Sequence, residues 1–176
     1  MRRSNAVVNL EISKTDKTCP VGERVAGKNL EEGKIPVLSC EGGCIRGEIA
    51  RLAANLVAKE NPYRRGCHAE LFTAPHSAMA RWIINSEKIV LIDGCFMECH
   101  GRILENMIAK KKLVRFDALS IYQKYTDIFD IDDIPEEERK ETSRTVASRV
   151  LIELSKGSGH EATFAVSTAC EVKSQK

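Results

Sequence analysis

No apolar run in this chain approaches the roughly 20 residues needed to cross a bilayer. The longest, Lys88–Ile92 with its flanks, is a small fraction of that. Met1–Lys17 begins with two arginines, but its apolar stretch stops after a few residues, so the h-region of a secretion signal is missing. A membrane partner is not expected, and a soluble, cytoplasmic protein is. An excess of one charge is also lacking: 27 Lys and Arg against 25 Asp and Glu leave a net +2. A phosphate-backbone binder carries a clear basic surplus. Nucleic acid is therefore not an expected partner. Aromatics are scarce at 5%, yet 43% apolar and 30% charged residues are ordinary globular composition, which excludes wholesale disorder and fibrous repeats. A length of 176 residues fits one domain.

Cysteine is what the chain does have: seven, with four histidines. An odd count without an export signal does not suit a disulfide framework. Closely spaced cysteines in a reducing compartment act instead as metal ligands, redox thiols or nucleophiles.

The pattern along the chain divides it into an N-terminal extension (1–34), an α/β domain (35–155) and a C-terminal tail (156–176). The extension shows no sustained helical period, and only Ala6–Ile12 alternates like a strand. From Ile35 the pattern sharpens. Ile35–Ser39 is a short apolar strand, and after the glycines Gly47–Lys59 places Ile49, Leu52, Ala53, Leu56 and Val57 on one helical face. The plan repeats with the strand Lys88–Asp93, the break at Gly94, and a helix expected over Met97–Lys111. Between these units Ala69–Thr73 reads as a strand, and Pro75 opens a helix over His76–Asn85. Lys112–Ala118 alternates as a further strand. Pro135 with Glu136, Glu137 and Glu138 marks a helix start, carboxylates complementing the N-terminal dipole, and the helix runs to about Ser155. Apolar strands alternating with helices imply a parallel sheet covered on both faces. The expected fold is therefore α/β, a three-layer Rossmann-like arrangement with a mainly parallel sheet. Ligands in such folds bind beyond the C-terminal strand ends.

The cysteines fall there. Aligning the two units superposes CEGGCIRGEIARLA on CFMECHGRILENMI, so that Cys40 matches Cys95 and Cys44 matches Cys99. Two junctions with Cys-x-x-x-Cys spacing have the form of two zinc half-sites, and Cys67-His68 is a third candidate pair, with His100 directly after Cys99. A helix N-terminus favours thiolate, which serves equally as ligand and as nucleophile. Cys19 and Cys170 lie in poorly patterned segments and are expected to be bystanders; His76 and His160 are not expected to be ligands. Lys110, Lys111 and Lys112 read as solvated charge at a helix end, and the acidic stretch 127–138 lacks calcium-loop spacing.

Cys40 and Arg46 also stand in Cys-x5-Arg spacing. That spacing resembles the anion-binding loop of low-molecular-weight protein tyrosine phosphatases and related arsenate reductases. The resemblance implies an enzyme in which Cys40 is the nucleophile, Arg46 pairs the oxyanion and Asp93 is the acid. Gly47 stands where that loop carries a hydroxyl, and Cys95 and Cys99 find no use in it.

At KIVLIDGCFMEC, which contains Asp93-Gly94-Cys95 and then Cys99, the chain resembles the DGC-domain family, regarded as zinc-binding. IPVLSCEGGCIRGEIARLAA is similar to its first part, and the resemblance covers about Ile35 to Leu154. It implies Cys40, Cys67, Cys95 and Cys99 as metal ligands, whereas the spacing alone selects Cys44 in place of Cys67. Cys44 is thus an additional or substitute ligand, standing where the family has a small or hydroxyl residue. Asp93 orients a ligand or caps a helix. Zinc is the expected cofactor; iron–sulfur clusters and Cu(I) draw on the same thiolates. No reaction follows from the resemblance. Without metal, Cys40 and Cys95 form a candidate redox dithiol.

Overall fold

A computed structural model describes residues 9–156. Four strands form one all-parallel sheet in the order β2-β1-β3-β4. They are β1 (Ile35–Ser39), β2 (Tyr63–Arg65), β3 (Ile89–Asp93) and β4 (Leu113–Asp117). Around them run α1 (Pro20–Glu31), α2 (Ile45–Val57), α3 (His68–Thr73), α4 (Ala78–Asn85), α5 (Cys99–Leu104), α6 (Ala118–Tyr122) and α7 (Glu136–Ser155). This is the three-layer, Rossmann-like α/β fold expected from the alternation of apolar strands and helices.

The central strands are apolar throughout because both their faces are covered. Val37, Val90, Ile92 and Phe116 pack with α2, α6 and α7, while Leu38, Ile89 and Leu91 pack with α1, α3, α4 and α5. Burying each such side chain stabilises the fold by about 1.5–3 kcal/mol. Helix α2 presents Ala50, Ala53 and Ala54 as a narrow face, against which α7 lays Val146, Ala147, Val150 and Leu154. Trp82 fills the opposite layer and donates its indole N–H to the Lys34 carbonyl at 2.9 Å.

Several elements differ from the sequence reading. Residues 20–31, read as extension, form α1, whose Ala26 belongs to the second core. Its buried positions are Gly22, Ala26 and Asn29, while Val21 and Val25 face outward. A packing face made of small and polar residues leaves no hydrophobic period to detect. Residues 9–12 of the expected Ala6–Ile12 strand are not strand, and 6–8 lie outside the described residues, as does the tail from 157 with His160 and Cys170. Ala69–Thr73 belongs to helix α3 rather than a strand, an apolar run too short to fix its own period. Helix α4 starts at Ala78, where the Ser77 hydroxyl accepts the Ala80 N–H at 3.1 Å, and not at His76. Strand β2, rich in arginine, went unread. The helix expected over 97–111 contracts to α5, beyond which Asn106 bonds back to the Arg102 carbonyl. Helix α7 falls where its proline and glutamates place it.

The strand order positions the site. The chain leaves β1 toward β2, then returns across the sheet to β3 and β4, so the switch point lies beyond the C-terminal ends of β1 and β3.

Candidate functional site

Every strand end at this edge carries a candidate group: in sheet order, Cys67 after β2, Cys40 and Cys44 after β1, Cys95 and Cys99 after β3, and Asp117 on β4. All six described cysteines are free thiols. Cys19, one of the two expected bystanders, caps α1, its sulfur accepting the Gly22 N–H at 3.4 Å. His76 is exposed in the α3–α4 connection.

The β1–α2 turn is tied to β3 by the Cys40 N–H, which donates to the Ile92 carbonyl at 2.9 Å. The Gly42 N–H turns back onto Cys40 Sγ at 3.4 Å. Glycine is required at two points here. A Cβ on Gly47 would collide with the Gly42 carbonyl, and one on Gly94 would stand 2.9 Å from the Arg46 backbone. The two cysteine turns therefore press backbone against backbone.

The β3–α5 turn is held differently. Glu98 takes a left-handed conformation, φ 50°, and lets Cys99 open α5. Asp93, 1% exposed, accepts the His100 N–H at 3.2 Å and so stabilises the start of α5. Arg115 of β4 faces Asp93 at 3.6 Å and Glu98 at 3.1 Å, and also pairs with Glu105. Gly101 leaves room for this guanidinium, which a Cβ would strike. Burial pushes the Asp93 carboxyl up, with Arg115 and the His100 N–H opposing.

The thiols differ with their surroundings. Burial raises the Cys40 thiol against the Gly42 and Gly94 amides, and both Asp93 and Cys99 lie close enough to add to the rise. Burial likewise raises Cys95, against the Met97 amide and the charge of Arg46, with Asp117 and Cys44 adding to the rise. Cys44 goes the other way. Burial opposes its ionisation, but the Gly47 amide and the amide and guanidinium of Arg46 together hold the thiol below its usual range. Arg46 also donates to the Thr126 carbonyl at 3.3 Å. Burial raises the nearby Tyr122 hydroxyl as well. Arg46 thus eases the ionisation of Cys44, the cysteine two positions before it.

Cys67 is exposed at the cap position of α3, within electrostatic reach of Arg65. That arginine is pinned by the Val37 carbonyl, Ser39 Oγ and Glu41, each at 3.0 Å. The residue after Cys67 meets the residue after Cys99: the His68 and His100 rings stand 4.7 Å apart, centre to centre, at 66°. Burial, then the charge of His100, holds His68 down to about 4. Among the described residues no three His, Cys, Asp or Glu side chains form a ready metal-holding group. Nor is any described helix long and apolar enough to cross a membrane.

The sequence reading missed the roles of Arg115, Asp117 and Tyr122. A charged residue inside the otherwise apolar LVRFD was the available signal for Arg115. The family model of the DGC domain matches residues 36–146, from β1 into α7. No curated protein and no solved structure matches the chain.

Proposed function

The chain belongs to the DGC-domain family, and from that premise we propose that it binds zinc through cysteine thiolates at the switch point of its sheet. Cys40, Cys67, Cys95 and Cys99 are the ligand set, with Cys44 beside them as an additional or substitute thiol. The observation that carries the reading is the gathering of five free cysteines on three adjacent strand ends. The donor set fits the metal. Thiolate and imidazole suit zinc, whereas Mg²⁺ and Ca²⁺ take oxygen ligands.

Zinc held by four thiolates is a closed, structural kind of centre, and an open fourth position would offer Lewis acidity. The chain's own contributions are definable. The Gly42 and Gly94 amides stabilise ionised Cys40. Asp93 holds the start of α5, and with it Cys99, in register with β3. Because thiols must lose protons to bind, metal uptake and the final placing of Cys67 and Cys99 are one coupled step.

Elemental analysis of untagged protein tests the reading, with about one zinc per chain expected. Iron with sulfide, or copper, would reassign the metal. Folded protein that takes up no metal, with every thiol freely titratable, would sink the proposal.

A second reading is favoured by one feature of the β1–α2 turn: the Gly47 amide and Arg46 lie around Cys44 and together hold its thiol toward the reactive anion. Cysteine-dependent oxyanion or thiol-exchange chemistry would then centre on Cys44 rather than on the expected Cys40. Aryl-phosphate hydrolysis and arsenate reduction by wild type, Cys40→Ser and Cys44→Ser discriminate these. Equal background rates in all three exclude both reactions.

A further inference from the structure

Two dipeptides add histidine to the cysteines of this edge, Cys67-His68 at the start of α3 and Cys99-His100 at the start of α5. They come from different junctions, 32 positions apart, yet their imidazoles meet at 4.7 Å. Three observations make this contact more than packing. His100 Nδ1 is buried and has no hydrogen-bond partner. The base of that ring is anchored, because the His100 N–H is held by Asp93 Oδ1, which Arg115 faces in turn. The His68 ring also lies against Phe72, 5.6 Å away centre to centre.

The spacing also suits a shared cation. With zinc–nitrogen bonds of about 2.0–2.1 Å, a tetrahedral zinc lies about 3 Å from each ring centre, so two ligating rings stand about 5 Å apart. The observed separation is close to that.

We infer that His68 and His100 supply imidazole ligands to the switch-point metal, making it a mixed thiolate–imidazole centre. The inference rests on the zinc reading above and changes its ligand set. Each histidine that binds displaces one cysteine of the all-thiolate set, so a tetrahedral site with both imidazoles retains only two thiolates. Neutral imidazole carries no charge to be neutralised, which makes such a centre less anionic than four thiolates.

X-ray absorption at the zinc edge, on full-length protein reconstituted without oxygen, reads the ligand shell directly. Nitrogen scatterers with the outer-shell pattern of imidazole are expected. His68→Ala and His100→Ala should each weaken zinc retention about tenfold or more in competition with a chelator, and each should remove part of that pattern. A shell of sulfur alone, with zinc retained equally by both variants, overturns the inference and leaves the zinc reading standing. Failure of the folded wild type to take up zinc overturns both. Should either variant not fold, as judged by circular dichroism, the wild-type spectrum decides alone.

Discussion

The β1–α2 and β3–α5 turns share their cysteine spacing and their place at the sheet edge, but they are built by different means. In the first, glycines let two backbones touch, and a 13-residue helix follows with one whole face buried. In the second, one arginine gathers three carboxylates around a left-handed residue, and the helix lasts six residues. The first is held by shape and the second by charge. Equal spacing therefore does not make equal thiols: Arg46 eases the ionisation of Cys44, while its aligned counterpart Cys99 is exposed at the start of α5.

The sharpest way to break this contrast is to fill the glycine contact. Gly47→Ala places a methyl group against the Gly42 carbonyl, where only backbone could yield. A loss of about 2–4 kcal/mol in denaturant unfolding is expected. Gly43→Ala, with nothing within 4 Å, should change stability by less than about 1 kcal/mol. Equal effects in the two variants would remove shape as the explanation of the first turn.

Next comes the charge clamp. Arg115→Met leaves Asp93 buried without its counter-ion, and a loss of about 2–3 kcal/mol is expected, since Arg115 itself is partly exposed. Adding Asp93→Asn should recover part of that loss. Hydrogen exchange should quicken across α5 in the single variant and stay unchanged in α2; uniform quickening would mean that the clamp serves the whole fold.

A smaller effect separates the thiols. In metal-free protein, iodoacetamide followed by peptide mass spectrometry should label Cys44 several-fold faster than Cys40 or Cys95 near pH 7.5, because thiolate is the reacting form. Arg46→Met, which keeps the Gly47 amide and that of residue 46, should narrow the lead. If Cys44 keeps it in full, the guanidinium is not one of its causes.

The smallest effect concerns Asp117 at the end of β4. Burial raises its carboxyl, against the Ser120 and Leu119 amides and with Glu98 adding to the rise. A raised carboxyl binds protons more tightly in the folded state, so its contribution favours folding at acid pH and is lost as pH rises from the usual 3.8 through the folded value. Asp117→Asn, which can still cap α6, should gain slightly over wild type above that window and not below it. An identical difference at every pH would show that the carboxyl's charge is not the cause.

Much of the fold was legible because burial on both faces leaves unbroken apolar strands, as in IPVLS and KIVLID. Helix α1 was not, because its buried face is glycine, alanine and asparagine. The site was legible at the level of place, since strand ends before glycine mark where a parallel sheet binds. It was not legible at the level of partners. The Cys40–Arg46 spacing is present in the sequence, but the thiol whose ionisation Arg46 eases is Cys44.

By itself the sequence determined the alternation of strand and helix, the parallel sheet, and the delivery of five cysteines to its C-terminal edge. Those are consequences of local periodicity and of glycine, which each segment carries within itself. Only the tertiary structure decided that Arg115 gathers Asp93, Glu98 and Glu105, and that His68 meets His100. Those outcomes depend on side-chain direction and on the approach of segments distant in the chain, which strand order and sheet packing set and no single stretch of chain encodes.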